Sequence, residues 1–187
     1  MAAQRALGRL FDIGLGFAPV DLNTAGATGK RFSLQDASGI TFLVGLAVAG
    51  GGTDDDVITM KQHTAYTSGT SNNLATATVA TSSGITAYWV KSEVSLDNDE
   101  PWVEVTQADS ATITLAGATY ATLQLLVAIY VSADQLGDGY THVSLDFADP
   151  GSGGSRLGFC AGIKHDLAAQ RRPANLANML RPGAANV

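Results

Sequence analysis

The sequence predicts a mainly β protein, an antiparallel β-sandwich or jelly-roll-like body that carries an extended arm at each end. Short segments rich in β-branched and aromatic residues recur at intervals of roughly 8–15 residues, with turn residues between them. No amphipathic helical segments separate them, as a parallel α/β fold would require. Of the 187 residues, 45% are hydrophobic and 15% are charged, which suffices for a core and is too apolar for a disordered chain.

The first predicted strands lie within the first third of the chain. Residues 40–48 form an apolar run between Gly39 and three glycines, which is typical of a buried strand. A turn rich in Gly and Asp follows, and residues 57–63 then show an imperfect alternation of apolar and polar side chains. Residues 74–80, after a polar loop, fit either a strand or a short helix.

The later strands alternate more clearly. Residues 102–106 alternate cleanly, residues 122–131 form the strongest strand pattern, and residues 140–147 place Val143, Leu145 and Phe147 on one face. The other predicted strands are residues 86–94, 111–115 and 159–163. The helix candidates are short and comprise residues 132–136 and 164–172.

Charge divides the chain into an acidic middle and two basic ends. Residues 32–155 have a net charge of −12, whereas residues 1–31 carry +2 and residues 156–187 carry +4, for a total of −6. Such asymmetry suggests ends that contact something negatively charged, such as the acidic middle of another copy, a second protein or a nucleic acid. The alternative is that a small basic excess on the termini is simply solvated.

The predicted division is an extended N-terminal arm at residues 1–31, a β-sandwich body at residues 32–163 and a C-terminal arm at residues 164–187. Glycines and Pro19 exclude a stable helix in the first arm. Arms with apolar and basic anchors dock on a partner, or else they wrap back over their own sandwich. Arginines would pair with carboxylates, and apolar side chains would fill pockets. The predicted anchors are Arg5, Arg9, Leu10, Phe11, Phe17, Arg171, Arg172, Leu176, Leu180 and Arg181.

Composition argues against several other classes of protein. The single cysteine, Cys160, rules out a disulfide framework, and a pI of 4.8 argues against strong or sequence-specific nucleic-acid binding. The longest apolar stretch, residues 40–52, is shorter than the about 20 residues of a membrane-spanning helix. Asp12 interrupts the apolar run that a signal peptide would need, so we expect a protein made and used in a cytoplasm, or in something assembled there.

No constellation in the sequence predicts catalysis, a metal site or a cofactor. His63, His142 and His165 lack metal-ligand spacing, and residues 54–56 fit a solvated turn better than a calcium loop. Residues 26–30 fail the phosphate-loop pattern. Because no nucleophile elbow is present and the paired carboxylates belong to no glycosidase motif, we expect a protein that is not an enzyme.

Three segments near the C-terminus resemble small virion proteins of tailed bacteriophages. They are residues 138–143 (Asp-Gly-Tyr-Thr-His-Val), 163–167 (Ile-Lys-His-Asp-Leu) and 170–176 (Gln-Arg-Arg-Pro-Ala-Asn-Leu). In that group a strand ends in His-Asp-Leu, and an Arg-Pro-Ala-Asn-Leu tail follows. The resemblance implies a structural role in the virion, as a head decoration or cement protein, and it implies no catalytic residues.

We therefore expect a capsid decoration or cement protein, located on the virion surface and assembled in the host cytoplasm. Its partners would be the major capsid protein and neighbouring copies of itself, in a homo-oligomer that is a trimer by analogy. Its arms would brace the shell through many weak contacts. One alternative is a tail or baseplate component. Another is a carbohydrate-binding β-sandwich for host adhesion, with Tyr88, Trp89 and Trp102 as candidate stacking residues.

Overall fold

The structure is a computed structural model that describes Leu7 and residues 10–93, 99–151 and 154–167. Within these residues the strands are β1 (Phe11–Asp21), β2 (Phe32–Ser33), β3 (Gly39–Leu46), β4 (Asp56–His63), β5 (Ser71–Asn73), β6 (Ile85–Glu93), β7 (Val103–Ser110), β8 (Thr112–Leu115), β9 (Gln124–Ser132), β10 (His142–Phe147) and β11 (Leu157–His165). The helical elements are single turns, namely α1 (Leu22–Ala25), α2 (Gly117–Tyr120) and a 3₁₀ turn at Ala133–Gln135.

The strands form two antiparallel sheets. The large sheet has the order β1-β11-β3-β9-β6-β7, and the small sheet has the order β2-β10-β4-β5, with β8 also paired to β4. Four pairs are nested: β1 with β11, β2 with β10, β3 with β9 and β4 with β8. A long antiparallel hairpin that folds over on itself produces this nesting, which is the connectivity of a jelly roll. The predicted mainly β, sandwich-like fold is confirmed.

The core lies between the two sheets, because every second side chain of each strand points inward. Phe42 and Ile129 of the large sheet are fully buried, as are Ile58 and Leu145 of the small sheet, and all belong to one apolar cluster. Phe32 of β2 meets Phe42 edge-on, with 5.7 Å between ring centroids. Burying one such side chain stabilises the fold by about 1.5–3 kcal/mol, so this cluster holds the sheets together.

A buried ion pair also links the two sheets. Arg156, just before β11, places Nη2 2.6 Å and Nε 3.1 Å from Asp56 Oδ2 at the start of β4. The same guanidinium donates to the carbonyl oxygens of Ala47, after β3, and Ala121. Burial raises the pKa of Asp56, while the hydrogen bond and the charge of Arg156 lower it. The carboxylate is therefore held in a dry site by one arginine.

Strand β1 lies where the sequence predicts an extended arm. Residues 11–21 pair with β11 along the edge of the large sheet, with bulges between Leu15 and Phe17 and between Phe17 and Val20. The glycines of this segment are explained by close packing: a Cβ on Gly16 would lie 2.7 Å from Cys160 Sγ. This part of the predicted arm thus belongs to the body.

The remaining predicted elements lie where the structure has them, but their first and last residues differ. All eight predicted strands have counterparts among the described residues, as β3, β4 and β6 to β11. Residues 74–80 form turns, and residues 132–136 contain the 3₁₀ turn. The helix and C-terminal arm predicted from residue 164 are wrong at their first two residues, because Lys164 and His165 continue β11. Residues 168–187 lie outside the described part of the chain.

Candidate interaction surface

In strands β1, β11, β3 and β9 of the large sheet most outward-facing side chains are apolar, with Thr41 and His165 among the polar exceptions, whereas β6 and β7 add Lys91, Glu93 and Glu104. We call this surface the outer apolar face and define it by Ile13, Leu15, Leu43, Trp89, Leu126, Ala128, Tyr130, Leu157, Phe159, Ala161 and Ile163. All are at least partly exposed, and Leu15 and Leu157 are each 56% exposed. An antiparallel sheet normally turns one apolar face to the core and a polar face to water. In the large sheet, strands β1, β11, β3 and β9 are mostly apolar on both faces.

Strand register aligns these side chains across five strands. One row runs Leu15, Ala161, Leu43, Ala128, Trp89, from β1 at the edge to β6. Large and small residues alternate along this row, so its relief consists of ridges separated by shallow grooves. The nearest neighbours in the row come from distant parts of the sequence and meet only through the jelly-roll pairing.

A pocket opens at one end of the outer apolar face. It has a volume of about 360 Å³, and its lining includes Gly45, Leu126, Leu157 and Phe159. The Phe159 ring lies across Gly45, where an added Cβ would be 2.2 Å from Phe159 Cε1. Glu93 is also in the lining. Apart from Glu93, the lining residues named here are apolar or glycine, so the pocket suits an apolar side chain.

Charged groups lie near one border of this face. Lys91 of β6 forms ion pairs with Glu93, at 3.5 Å, and with Asp99. Glu104 of β7 is the cross-strand neighbour of Trp89. In the described strands β1, β11, β3 and β9, Asp21 at the end of β1, opposite Leu157, is the one Asp, Glu, Lys or Arg at an outward position. The centre of the face thus offers apolar contact and almost no charge.

The small sheet presents the opposite chemistry outward. We call this surface the outer polar face and define it by Val57, Thr59, Lys61, His63, Ser71, Asn73, Thr112, Thr114, His142, Ser144 and Asp146. Lys61 Nζ lies 2.7 Å from Asp146 Oδ2. His63, His142 and Ser144 are buried within this face, and His142 Nε2 has no hydrogen-bond partner among the described residues. The exposed positions of the face are polar, as those of a solvated sheet face are.

The outer polar face contains the described chain's best candidate for acid–base chemistry. His63 is hydrogen bonded to Ser71 Oγ through Nδ1 and to Ser144 Oγ, at 2.8 Å, through Nε2. Arg31 Nη2 donates to Ser71 Oγ at 3.2 Å. Burial and the charge of Arg31 lower the pKa of His63 to about 4. A catalytic Ser–His pair has its histidine oriented by a carboxylate, whereas Ser144 stands in that place here, so the arrangement fits a structural hydrogen-bond chain.

The predicted anchors fall into three groups. Leu10 precedes β1 and is 65% exposed, and Phe11 begins β1 and is half-buried. Phe17 is only 9% exposed and belongs to the core cluster, which corrects its assignment as a partner contact, because the bulge after Leu15 turns it inward. The anchors outside the described residues are Arg5, Arg9, Arg171, Arg172, Leu176, Leu180 and Arg181.

Both ends of the described body lie at one corner of the large sheet. Phe11, at the start of β1, is the cross-strand partner of His165, at the end of β11. Asp166 N donates to the carbonyl oxygen of Leu10 at 3.2 Å, which closes this corner. The segments before Leu10 and after Asp166 therefore start side by side.

The tryptophans predicted for sugar stacking are exposed, and the tyrosine is not. Trp89 lies on the outer apolar face, Trp102 precedes β7, and both side chains are more than two-fifths exposed. Tyr88 points inward and is buried.

The sequence analysis missed the outer apolar face. Its signal was available, since residues 40–48 and 122–131 are apolar at nearly every position rather than at alternate ones. Such a run is typical of a strand covered on both faces.

The remaining findings are negative. No family model, curated protein or solved structure matches the chain. No group of His, Cys, Asp and Glu that could hold a metal ion occurs among the described residues. The same part of the chain contains no helix long and apolar enough to cross a membrane.

Proposed function

We propose that this chain is a structural virion protein of a tailed bacteriophage, which binds the capsid shell as a decoration or cement protein through its two ends. The observation that carries the proposal is the shared corner at Phe11 and His165. Residues 1–9 contain Arg5 and Arg9 without an acidic residue, and residues 167–187 contain three arginines without one. Two basic segments that start at one point can act on one partner.

The charge distribution supports separate roles for the outer polar face and for the two ends of the chain. The outer polar face suits contact with solvent, while arginines of the two ends would pair with carboxylates of shell subunits. Leu10 is exposed at the corner, and Leu176 and Leu180 would fill apolar pockets beside those ion pairs. Each contact is weak alone, and repetition over a symmetric shell multiplies them.

Truncation tests the proposal. Variants lacking residues 1–9 or 173–187 leave β1 and β11 intact, so circular dichroism should match that of the full chain. We expect both to lose occupancy on purified particles that lack the protein. Particles that accept either truncated chain at full occupancy contradict the proposal.

A single charge reversal distinguishes particle binding through the C-terminal segment from an effect of the net charge of the chain. Arg172→Glu and Lys61→Glu change the net charge equally, but Lys61 lies on the outer polar face. We expect Arg172→Glu to weaken particle binding and Lys61→Glu to leave it unchanged. Equal effects would mean that overall charge, and not the C-terminal segment, governs binding.

Copy number distinguishes the cement role from a tail or baseplate role. Quantitative mass spectrometry of purified particles gives the ratio of this chain to the major capsid protein. A ratio near one to one supports the cement role, and a few copies per particle support a tail or baseplate role. Absence from particles contradicts both.

One observation favours carbohydrate binding as a second candidate function. Trp89 and Trp102 are exposed on the β6–β7 side of the body, and exposed aromatic rings can stack on sugars. A glycan array with the wild-type chain and the Trp89→Ala and Trp102→Ala variants tests it. Binding that either variant abolishes would support host adhesion, and an array without signal would contradict it.

A further inference from the structure

We infer that copies of this chain associate with one another through the outer apolar face of the large sheet. The inference rests on the proposed function only for its setting, an assembly of many copies. It adds the surface by which the copies meet, which is separate from the two ends.

The contrast between the sheets is the first argument. Both sheets bury their inner faces against each other, yet the outside of the small sheet is mostly polar and the outside of strands β1, β11, β3 and β9 is mostly apolar. Ile13, Leu15 and Tyr130 stand on the large sheet about half exposed. Contiguous exposed apolar patches of more than a few hundred Å² mark interaction sites in soluble proteins. A partner therefore covers this face.

The area is the second argument. Five strands spaced about 4.8 Å apart, with nine residues of about 3.3 Å along β11, give a flat footprint of about 600 Å². The accessible area of a ridged surface is larger than its footprint. A stable interface buries about 800 Å² per partner. The face thus approaches the area that a stable association of two chains buries.

The distribution of charge identifies the partner as another copy. The chain carries a net charge of −6, so two copies repel each other least when they meet through a surface with few carboxylates. The outward positions of β1, β11, β3 and β9 provide such a surface, with Asp21 at the end of β1 as their one carboxylate. Depletion of charge at the centre is typical of protein–protein interfaces, and those between identical chains are the more apolar ones. A nucleic acid or a strongly charged protein would find no counter-charge at the centre of this face.

The relief of the face is the third argument. In the row through Leu43, the ridges Leu15 and Trp89 are separated by the small residues Ala161 and Ala128. Sheets that pack face to face interdigitate in this way, about 10 Å apart. The pocket over Gly45 can accept an apolar side chain from the facing copy.

Leu15→Glu and Trp89→Glu test the inference from opposite ends of this row. The matched control is Val103→Glu, because Val103 is 57% exposed, close to the 56% of Leu15, and lies on the opposite face of the same sheet. Light scattering during size-exclusion chromatography of the purified full chain gives the mass over a dilution series. Circular dichroism of each variant shows whether the body is folded.

We expect the wild type and Val103→Glu to run at a small whole multiple of 19.2 kDa. Leu15→Glu and Trp89→Glu should run at 19.2 kDa, or dissociate at a concentration at least tenfold higher than the wild type. A wild type that stays at 19.2 kDa at its solubility limit overturns the inference. An oligomer that survives both substitutions in folded protein overturns it too.

This test is independent of the test of the proposed function. It uses the isolated chain without particles, so a monomer could still decorate a shell through its ends. Conversely, a chain that never binds particles could still associate through the outer apolar face.

Discussion

The two outer faces of this jelly roll differ more than any other pair of regions in the molecule. On the small sheet, Lys61 and Asp146 pair across neighbouring strands, and threonines fill the positions beside them. On the large sheet, the corresponding outward positions hold Leu15, Leu43 and Trp89. Both sheets share one core, so the core does not account for the difference.

This difference is what the self-association inferred above would require, with one face covered by another copy and the other in water. A polar outer face needs only water, whereas an apolar outer face is stable in solution only at the cost of exposed hydrocarbon. The large sheet therefore resembles the inner layer of a larger assembly. The small sheet and its covering loops resemble the outer layer.

The largest expected effect separates the two faces of β3. Phe42 is fully buried, and Leu43 points to the outer apolar face. Phe42→Ala should lower the free energy of unfolding by about 3–5 kcal/mol, because it leaves a cavity in the core. Leu43→Ala should cost about 1 kcal/mol and should weaken self-association instead. Urea denaturation at one protein concentration compares them, and equal losses would mean that the two faces are equivalent.

The second effect concerns the ion pair between the sheets. Arg156→Met should lower the free energy of unfolding by about 3 kcal/mol or more, because it leaves the Asp56 carboxylate buried without its partner. The double variant Arg156→Met/Asp56→Asn removes the orphaned charge and should recover part of that loss. Thermal denaturation at pH 7 measures both. A single variant as stable as the wild type would show that water reaches Asp56.

The third effect is a pH dependence that belongs to the outer polar face. Folding lowers the pKa of His63 to about 4, from an ordinary value of 6.5, so between these values the unfolded chain binds a proton that the folded chain excludes. Stability should therefore fall as the pH falls from 6.5 to 4, and it should be unaffected by this group above 6.5. The melting temperature of His63→Gln should depend less on pH across that window. Identical profiles for variant and wild type would exclude His63 as a cause.

The smallest effect tests whether the outer polar face depends on its ion pair. Lys61→Ala breaks a pair whose lysine is about one-third exposed, so it should cost only about 0.2–1 kcal/mol and less at high salt. Urea denaturation at low and high ionic strength measures the change. A loss of several kcal/mol would show that the pair is far less solvated than its exposure implies.

Sequence patterns were sufficient to predict those strands in which the order of apolar and polar residues shows which side chains are buried. Residues 125–131 are continuously apolar, and the inward side chains of residues 140–147 alternate with polar ones, so β9 and β10 can be predicted without knowledge of their partners. Strand β1 cannot be predicted in this way. Its glycines are required by Cys160 and Phe32 on other strands, and only the folded structure brings those residues to it.

The candidate surface was predictable only in part. The continuous apolar runs of β3 and β9 indicate that both faces of each strand are covered. They do not indicate whether the residues that cover each face of β3 and β9 belong to the same chain. That depends on the pairing of β1 with β11 and on the bulge after Leu15. The bulge also explains why Phe17, which was predicted as a partner contact from its residue type, lies in the core instead.

The pairing of β1 with β11 has a consequence for the order of events during synthesis. Among the described strands β1 is synthesised first and its strand partner β11 is synthesised last, so β1 lacks that partner while the residues between them are made. At about 5–20 residues per second, that delay lasts roughly 10–30 s. Through this time Ile13 and Leu15 are exposed on an unpaired ribbon, and the large sheet is completed only when β11 emerges between β1 and β3. The large sheet of this chain therefore closes late and through a contact between distant parts of the sequence, so its folding is not progressive from β1 onward.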